Sequence, residues 1–195
     1  MDPPTAAQQS LRAYDIAPAL ESYEIPVDTY ISQNSSDQLV GVLGTAVIIH
    51  QDRVLLIQRV ADDDYPDLWE VPGGVADDGE TIIECVVREL REETSLRASA
   101  ISTMLGEFEW EDSIPVSSSH PRRGKWKIFT FLVVVDGLNE DHLDITLDSR
   151  EHKAFLWVTD KEVGSDLCGD VTLDWISLNQ KEAILTAFKK VSTAV

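Results

Sequence analysis

The stretch Gly74-Val75-Ala76-Asp77-Asp78-Gly79-Glu80-Thr81-Ile82-Ile83-Glu84-Cys85-Val86-Val87-Arg88-Glu89-Leu90-Arg91-Glu92-Glu93-Thr94-Ser95-Leu96 decides how this chain is read. Thr81-Ile82-Ile83-Glu84 has the form of a capping box, in which the Thr hydroxyl and the Glu carboxylate satisfy each other's backbone amides, so a helix is expected over 81–94. At about 100° per residue, with Glu89 at zero, Ile83, Val86, Val87, Leu90 and Thr94 fall between about 60° and 160°, while Glu92, Glu89 and Glu93 fall between about −60° and 40°. One stripe is apolar and its neighbour is carboxylate. A solvated acidic face is the common explanation for such a stripe. It accounts poorly for the position, because like charges at i and i+4 cost roughly 0.2–0.5 kcal/mol and the C-terminal half of a helix disfavours anions.

Something positive should therefore compensate. Arg88 neutralises only part of the charge, and clustered carboxylate oxygens suit a hard divalent cation. No Cys or His cluster competes for a softer metal. Just upstream, Trp69-Glu70-Val71-Pro72-Gly73-Gly74 reads as a strand end opening into a Gly turn, where a backbone carbonyl can approach an ion without a Cβ in the way.

Gly74, Glu80, Arg88-Glu89-Leu90, Glu92-Glu93, Ser95 and Leu96 stand at the spacing G-x5-E-x7-R-E-U-x-E-E-x-G-U, with U aliphatic, and so this segment resembles the Nudix box. Six of the seven strict positions match, and at roughly one-in-twenty usage that gives on the order of one chance match per sixty million starting points. The resemblance covers residues 74–96, with 69–73 similar to the usual approach to the box. It implies an α/β fold, a Nudix-like α/β/α sandwich with a mixed sheet. It also implies hydrolysis of a nucleoside diphosphate linked to another moiety, with Mg²⁺ or Mn²⁺ as cofactor. Glu89, Glu92 and Glu93 would be metal-binding carboxylates, the Gly74 carbonyl a further ligand, and Arg88 with Glu80 an ion pair orienting the cluster. The resemblance thus puts Glu92, Glu93 and Arg88 in the catalytic set. Ser95 departs from the pattern: the family's Gly leaves the helix with positive φ, so the local turn is affected more than the ligands before it.

The rest of the chain is consistent with one such domain. With 35 acidic and 16 basic side chains the formal charge is −19, and 43% of residues are hydrophobic. That is too apolar for a disordered acidic chain, and its field repels duplex nucleic acid. A small-molecule diphosphate is the expected partner, reached through local cations or metal. The N-terminal Met1-Asp2-Pro3-Pro4 stretch lacks the basic start and apolar run of a secretory signal, and no stretch approaches the roughly 18 apolar residues of a membrane span. A cytoplasmic protein without membrane partners is expected, and a homodimer is left open. Cys85 and Cys168 read as reduced core thiols.

Residues 1–38 read as an N-terminal arm and linker with a short helix near 6–14, and 39–195 as the hydrolase domain. Within it, 39–49 and 54–57 form a hairpin of buried strands across Gln51-Asp52, further strands lie near 69–71, 100–109, 126–135 and 154–158, and a C-terminal helix spans 178–192. That helix starts at a second capping box, Ser177 to Gln180, and carries a stripe of Ile184, Leu185, Phe188 and Val191. Glu151, just before a late strand, is a candidate general base beside the reading of a solvated loop carboxylate; His50, His120 and His142 read as surface residues. In the basic run His120-Pro121-Arg122-Arg123-Gly124-Lys125-Trp126-Lys127, Arg122 and Arg123 could greet a phosphate and Trp126 could stack on a base, against the plainer reading of a basic hairpin tip. The residues also leave open two other functions: a catalytically silent binding module, and prenyl diphosphate processing by a hydrolase or by an isomerase needing a reactive Cys.

Overall fold

The computed structural model describes residues 13–34, 39–114, 122–138 and 141–193, with the side chains of 112–114 and 122–123 outside that description. Its organising feature is a near-continuous apolar run that serves two cores at once. In β2 (Leu39–Val47), Val42 and Ala46 face one core and Val47 the other; in β4 (Arg53–Arg59), Leu55 faces the first and Val54 and Leu56 the second. Strands buried on both faces need this composition, because alternate side chains point to opposite sides.

The expected hairpin forms with a difference. The first run breaks after Val47, and β3 (Ile49–His50) turns back through Gln51 and Asp52, both at positive φ, to pair with β4. Two sheets result. In one, β1 (Asp15–Ile16), β7 (Ala98–Ile114), β8 (Arg122–Val135), β2 and β6 (Gly73–Val75) lie in that order, with β1–β7 and β8–β2 parallel and the other pairs antiparallel. In the other, β4 pairs along its length with β9 (His152–Thr159) and at its two ends with β3 and β5 (Trp69–Glu70), all antiparallel.

The segment expected as an arm is, over its described part, built into the domain. Strand β1 extends the sheet beside β7, and a 3-10 turn over Pro18–Tyr23 and helix α1 (Val27–Gln33) sink Leu20 and Val27 into the first core. Tyr23 and Tyr30 meet the Phe129 ring edge-on at 5.5 and 5.4 Å. The helix expected near 6–14 lies almost wholly outside the described residues.

The motif helix, α2 (Ile82–Thr94), buries Ile82, Ile83, Val86 and Leu90 in this core. It lies close to β2 because Gly44 has no side chain: a Cβ there would come within 2.7 Å of Val86 Cγ2. Across the sheets, α3 (Asp160–Ser165) and α4 (Leu178–Thr193) cover the second core, giving the expected α/β/α layering. The buried stripe of α4 is Gln180, Ala183, Ile184 and Ala187, with Leu185 and Phe188 only partly covered. Small Ala side chains let the helix approach the sheet. The Gln180 carboxamide is diverted from its expected cap, and its Oε1 accepts the Val71 N–H at 3.0 Å.

Candidate active site

Four local arrangements build the site. The first is the start of α2, where the capping box forms as read: Thr81 Oγ1 accepts from Glu84 N at 3.1 Å and Glu84 Oε2 accepts from Thr81 N at 2.9 Å. This fixes the phase of every Glu that follows. At the other end Ser95 adopts φ 63°, ψ 3°, the left-handed conformation the pattern assigns to Gly, and its N–H donates to Arg91 O at 2.9 Å. The departure at Ser95 therefore changes the turn's cost, not its shape.

The second arrangement is the strand β6 beneath the helix. Gly73 and Gly74 pair with Thr45 and Gly44 of β2, and the Gly73 N–H donates to Glu93 Oε2 at 2.7 Å. A Cβ on Gly74 would occupy the place of the Glu89 carboxylate, lying 2.5 Å from its Cδ. The glycine is what lets that carboxylate rest on the strand. The Gly74 carbonyl accepts from Cys85 Sγ at 3.4 Å, and burial, together with the charges of Glu89 and Glu80, pushes the Cys85 thiol far above its usual range.

Arg88 is the third. Its Nε and Nη2 grip the two oxygens of Glu80 at 2.9 and 3.0 Å, Nη1 donates to Glu89 at 2.8 Å and Glu92 at 3.0 Å, and Nη2 donates also to Val75 O at 3.0 Å. The expected Arg88–Glu80 pair is present.

The fourth arrangement was not visible in the sequence. Arg59 donates to Glu70 Oε1 at 2.6 Å and forks onto Asp63 at 2.7 and 3.0 Å, and His152 Nε2 lies 3.2 Å from the same Glu70 oxygen and 3.7 Å from Glu93 Oε1. Asp63 is thus an ion-pair partner of the network.

These pieces surround a pocket of about 280 Å³ lined by Glu89, Glu92, Glu93, Asp148, Arg150 and Glu151. Glu93 is 4% exposed and the Glu92 side chain 59%, so the carboxylates grade from buried to solvent. Burial raises Glu89 to about 7, with the charges of Glu92 and Glu151 adding to the effect and Arg88 opposing it. Glu93 is raised well above the usual carboxylate range by burial, then by Glu70 and Glu89, against the Gly73 N–H. Oxygen atoms crowded in this way, with too few cations, fit a hard divalent ion. Glu93, Glu151 and His152 also bring one donor atom each within 4.8 Å of one another.

A second cavity, of about 190 Å³, is lined in part by Gly73, whose N–H meets Glu93, and by Glu70, which meets His152. Leu43, Ile128, Phe108 and Trp110 supply its apolar walls and Ser177 and Asn179 polar atoms. Trp126 is absent from it. It is 0% exposed, and a Cβ on Gly41 would fall onto its ring, so the stacking surface expected of Trp126 is not presented; Trp110, its neighbour across the strands, lines the cavity instead. Arg122 and Arg123 pair Ile114 and Ser113 at the end of the β7–β8 ladder, with side chains outside the described residues, as is all of His120. His50 is buried against Trp157, ring centroids 5.6 Å apart, and is not a surface residue.

The sequence model of the NUDIX domain matches residues 42–174. The chain belongs to the NUDIX domain family. An m7GpppN-mRNA hydrolase NUDT17 of Xenopus laevis is 33% identical over 131 residues, 64% of this chain and 43% of that protein. The CTP pyrophosphohydrolase of Escherichia coli (strain K12) is 31% identical over 118 residues, 60% of this chain and 75% of that protein. Among solved structures, the MutT protein from Methanosarcina mazei Go1 superposes with a TM-score of 0.55 at 21% identity, covering 78% of this chain and 94% of that one, which shows the shared fold. The chain spans less than half the length of the NUDT17 relative. Among the described residues, no helix is long and apolar enough to cross a membrane.

Proposed function

We propose that this NUDIX protein hydrolyses a phosphoric anhydride bond in a nucleoside diphosphate linked to another group, in the presence of Mg²⁺ or Mn²⁺. One observation carries the reading: Glu93 is a buried carboxylate and Glu89 a half-buried one, crowded by Glu70, Glu92 and Glu151, and Arg88 is the guanidinium set among the helix carboxylates. Glu89, Glu92, Glu93 and the Gly74 carbonyl would hold the cation, which when bound neutralises phosphate oxygens and lowers the pKa of a bound water. Arg88 orients Glu80, Glu89 and Glu92. Glu151 enters the pocket from the approach to β9 and is exposed, which suits a base that takes the proton of the attacking water and passes it to solvent.

The second cavity supports a substrate with a flat apolar part. Phe108 and Trp110 offer ring faces to a base, and Asn179 offers both a donor and an acceptor to its edge. The named activities of the CTP pyrophosphohydrolase and NUDT17 relatives are also on nucleotides.

Prenyl diphosphate isomerisation is disfavoured, since Cys85 is buried, hydrogen-bonded to Gly74 O and held as a thiol. A silent binding module is disfavoured because every motif carboxylate is present. The test is incubation with Mg²⁺ or Mn²⁺ and a panel of CTP, ADP-ribose, a capped dinucleotide and isopentenyl diphosphate, with phosphate-containing products followed by chromatography. Metal-dependent cleavage of a nucleotide supports the proposal; turnover of the prenyl compound alone, or of none, overturns it.

A further inference from the structure

His152 is 0% exposed, and only one of its ring nitrogens has a partner. Nδ1 is buried and makes no hydrogen bond, while Nε2 faces two carboxylates, Glu70 Oε1 at 3.2 Å and Glu93 Oε1 at 3.7 Å. A carboxylate oxygen accepts, so Nε2 carries the proton. An apolar side chain would fill this space without stranding a nitrogen. The imidazole must therefore be explained by what Nε2 does.

It stands between two like charges. Glu70 and Glu93 are both buried, and the Glu70 charge raises the cost of ionising Glu93. Glu70 is held from behind by Arg59, whose Nε and Nη2 each donate to Asp63. Glu93 has the Gly73 N–H on Oε2 and no Arg or Lys contact among the described residues. With that single anchor, the carboxylate could still swing away from the Glu70 and Glu89 charges. The imidazole Nε2, hydrogen-bonded to the fixed Glu70 and 3.7 Å from the second oxygen of Glu93, fills that space with the positive end of a ring dipole and opposes the swing.

We infer that His152 is a positioning residue, which holds the Glu93 carboxylate in the orientation that serves a cation, braced through Glu70 by Arg59. The inference rests on the proposed role of Glu93 in cation binding. The strand register explains how the device is assembled: Arg59 lies opposite His152 in the β4–β9 pair, and Ile57, two residues before Arg59, lies opposite Glu70 in the β4–β5 pair.

The test is titration of the intact protein with Mn²⁺, following the free-ion signal by electron paramagnetic resonance, alongside thermal melting. Wild-type protein should bind Mn²⁺, and His152→Ala should weaken binding by roughly 10- to 100-fold, the usual effect of removing a group that orients a metal ligand. His152→Gln, which can place an N–H near the same point, should restore affinity to within a few-fold. Glu70→Gln should weaken binding, and adding it to His152→Ala should cost little more, because both act through one chain of contacts. A folded His152→Ala with wild-type affinity overturns the inference, as does His152→Gln binding as poorly as His152→Ala, since that would mark a role in packing only. If His152→Ala does not fold, Glu70→Gln decides: weaker binding at an unchanged melting temperature supports the inference, and unchanged binding overturns it. A wild-type protein that binds no Mn²⁺ would instead fail the proposed function, and this inference with it.

Discussion

Replacing Glu89 by Gln should make the metal-free protein more stable, and increasingly so as pH rises. The Glu89 carboxyl has an ordinary value of 4.5 and is raised by burial to about 7 in the folded state. Below pH 4.5 both folded and unfolded chains hold the proton. Between 4.5 and 7 the unfolded chain releases it while the folded one retains it, so stability is lost as pH rises, and above 7 the loss is complete. The shift corresponds to about 3 kcal/mol, of which about 2.5 develops between pH 5 and pH 8. Glutamine does not titrate and lacks the ionic bond to Arg88, so the difference between the two proteins should start near zero or slightly negative and grow by about 2.5 kcal/mol, or roughly 5–10 °C in melting temperature for a chain of this size. Urea denaturation in excess chelator at pH 5, 6, 7 and 8 measures it. Millimolar Mn²⁺ should then reverse the order at pH 8, since the wild type gains binding energy in its folded state that the variant lacks. Parallel pH profiles for the two proteins in chelator would refute the reasoning, because Glu89 would then be no harder to ionise in the fold than in the open chain.

Glu92→Gln and Glu93→Gln should each keep the fold and lower kcat by at least about a hundredfold, because several kcal/mol of charge stabilisation is lost with one ligand; steady-state kinetics with circular dichroism checks both. Ser95→Gly should raise stability by up to about 1 kcal/mol by removing a side chain from the left-handed region, while Ser95→Val should lower it by about 1–2 kcal/mol; chemical denaturation ranks the three. Trp110→Ala should raise KM for a nucleotide substrate with a smaller change in kcat, since it removes cavity wall remote from the carboxylates. A Trp126→Ala comparison should instead lose about 3–5 kcal/mol of stability, because that ring is core.

The sequence was most informative where helical periodicity turns spacing into direction. The capping box set the start of α2, and 100° per residue placed Glu89, Glu92 and Glu93 on one side, which is where the pocket lies. What escaped it depends on register between distant segments. Arg59, Glu70 and His152 belong to three strands whose alignment no local pattern states, so their convergence could not be read. Trp126 and Trp110 are the same residue type on paired strands, and Trp126 is the one whose ring lies over Gly41 of the next strand. Strand β1 is two residues long and pairs with a strand some eighty residues away, too short a segment to show periodicity. His50 departs from the exposure its polarity predicts, because its place in β3 turns it onto Trp157.

The guanidinium groups about the site are already engaged: Arg150, which lines the pocket, is held by Asp148. Arg88 has five N–H donors, and the five contacts to Glu80, Glu89, Glu92 and Val75 O use them. It is therefore committed to shaping the helix face and has none left for a phosphate. Arg59 puts three of its N–H groups on Asp63 and Glu70. Neither guanidinium contacts Glu93, whose partners are a backbone amide and an imidazole. A diphosphate approaching this pocket in a chain at −19 would meet repulsion from the whole surface and from every uncompensated carboxylate. On the proposed reading, the same acidity makes phosphate chemistry here depend on a cation from solution. It also makes that cation's affinity depend on how rigidly Glu89 and Glu93 are held before it arrives.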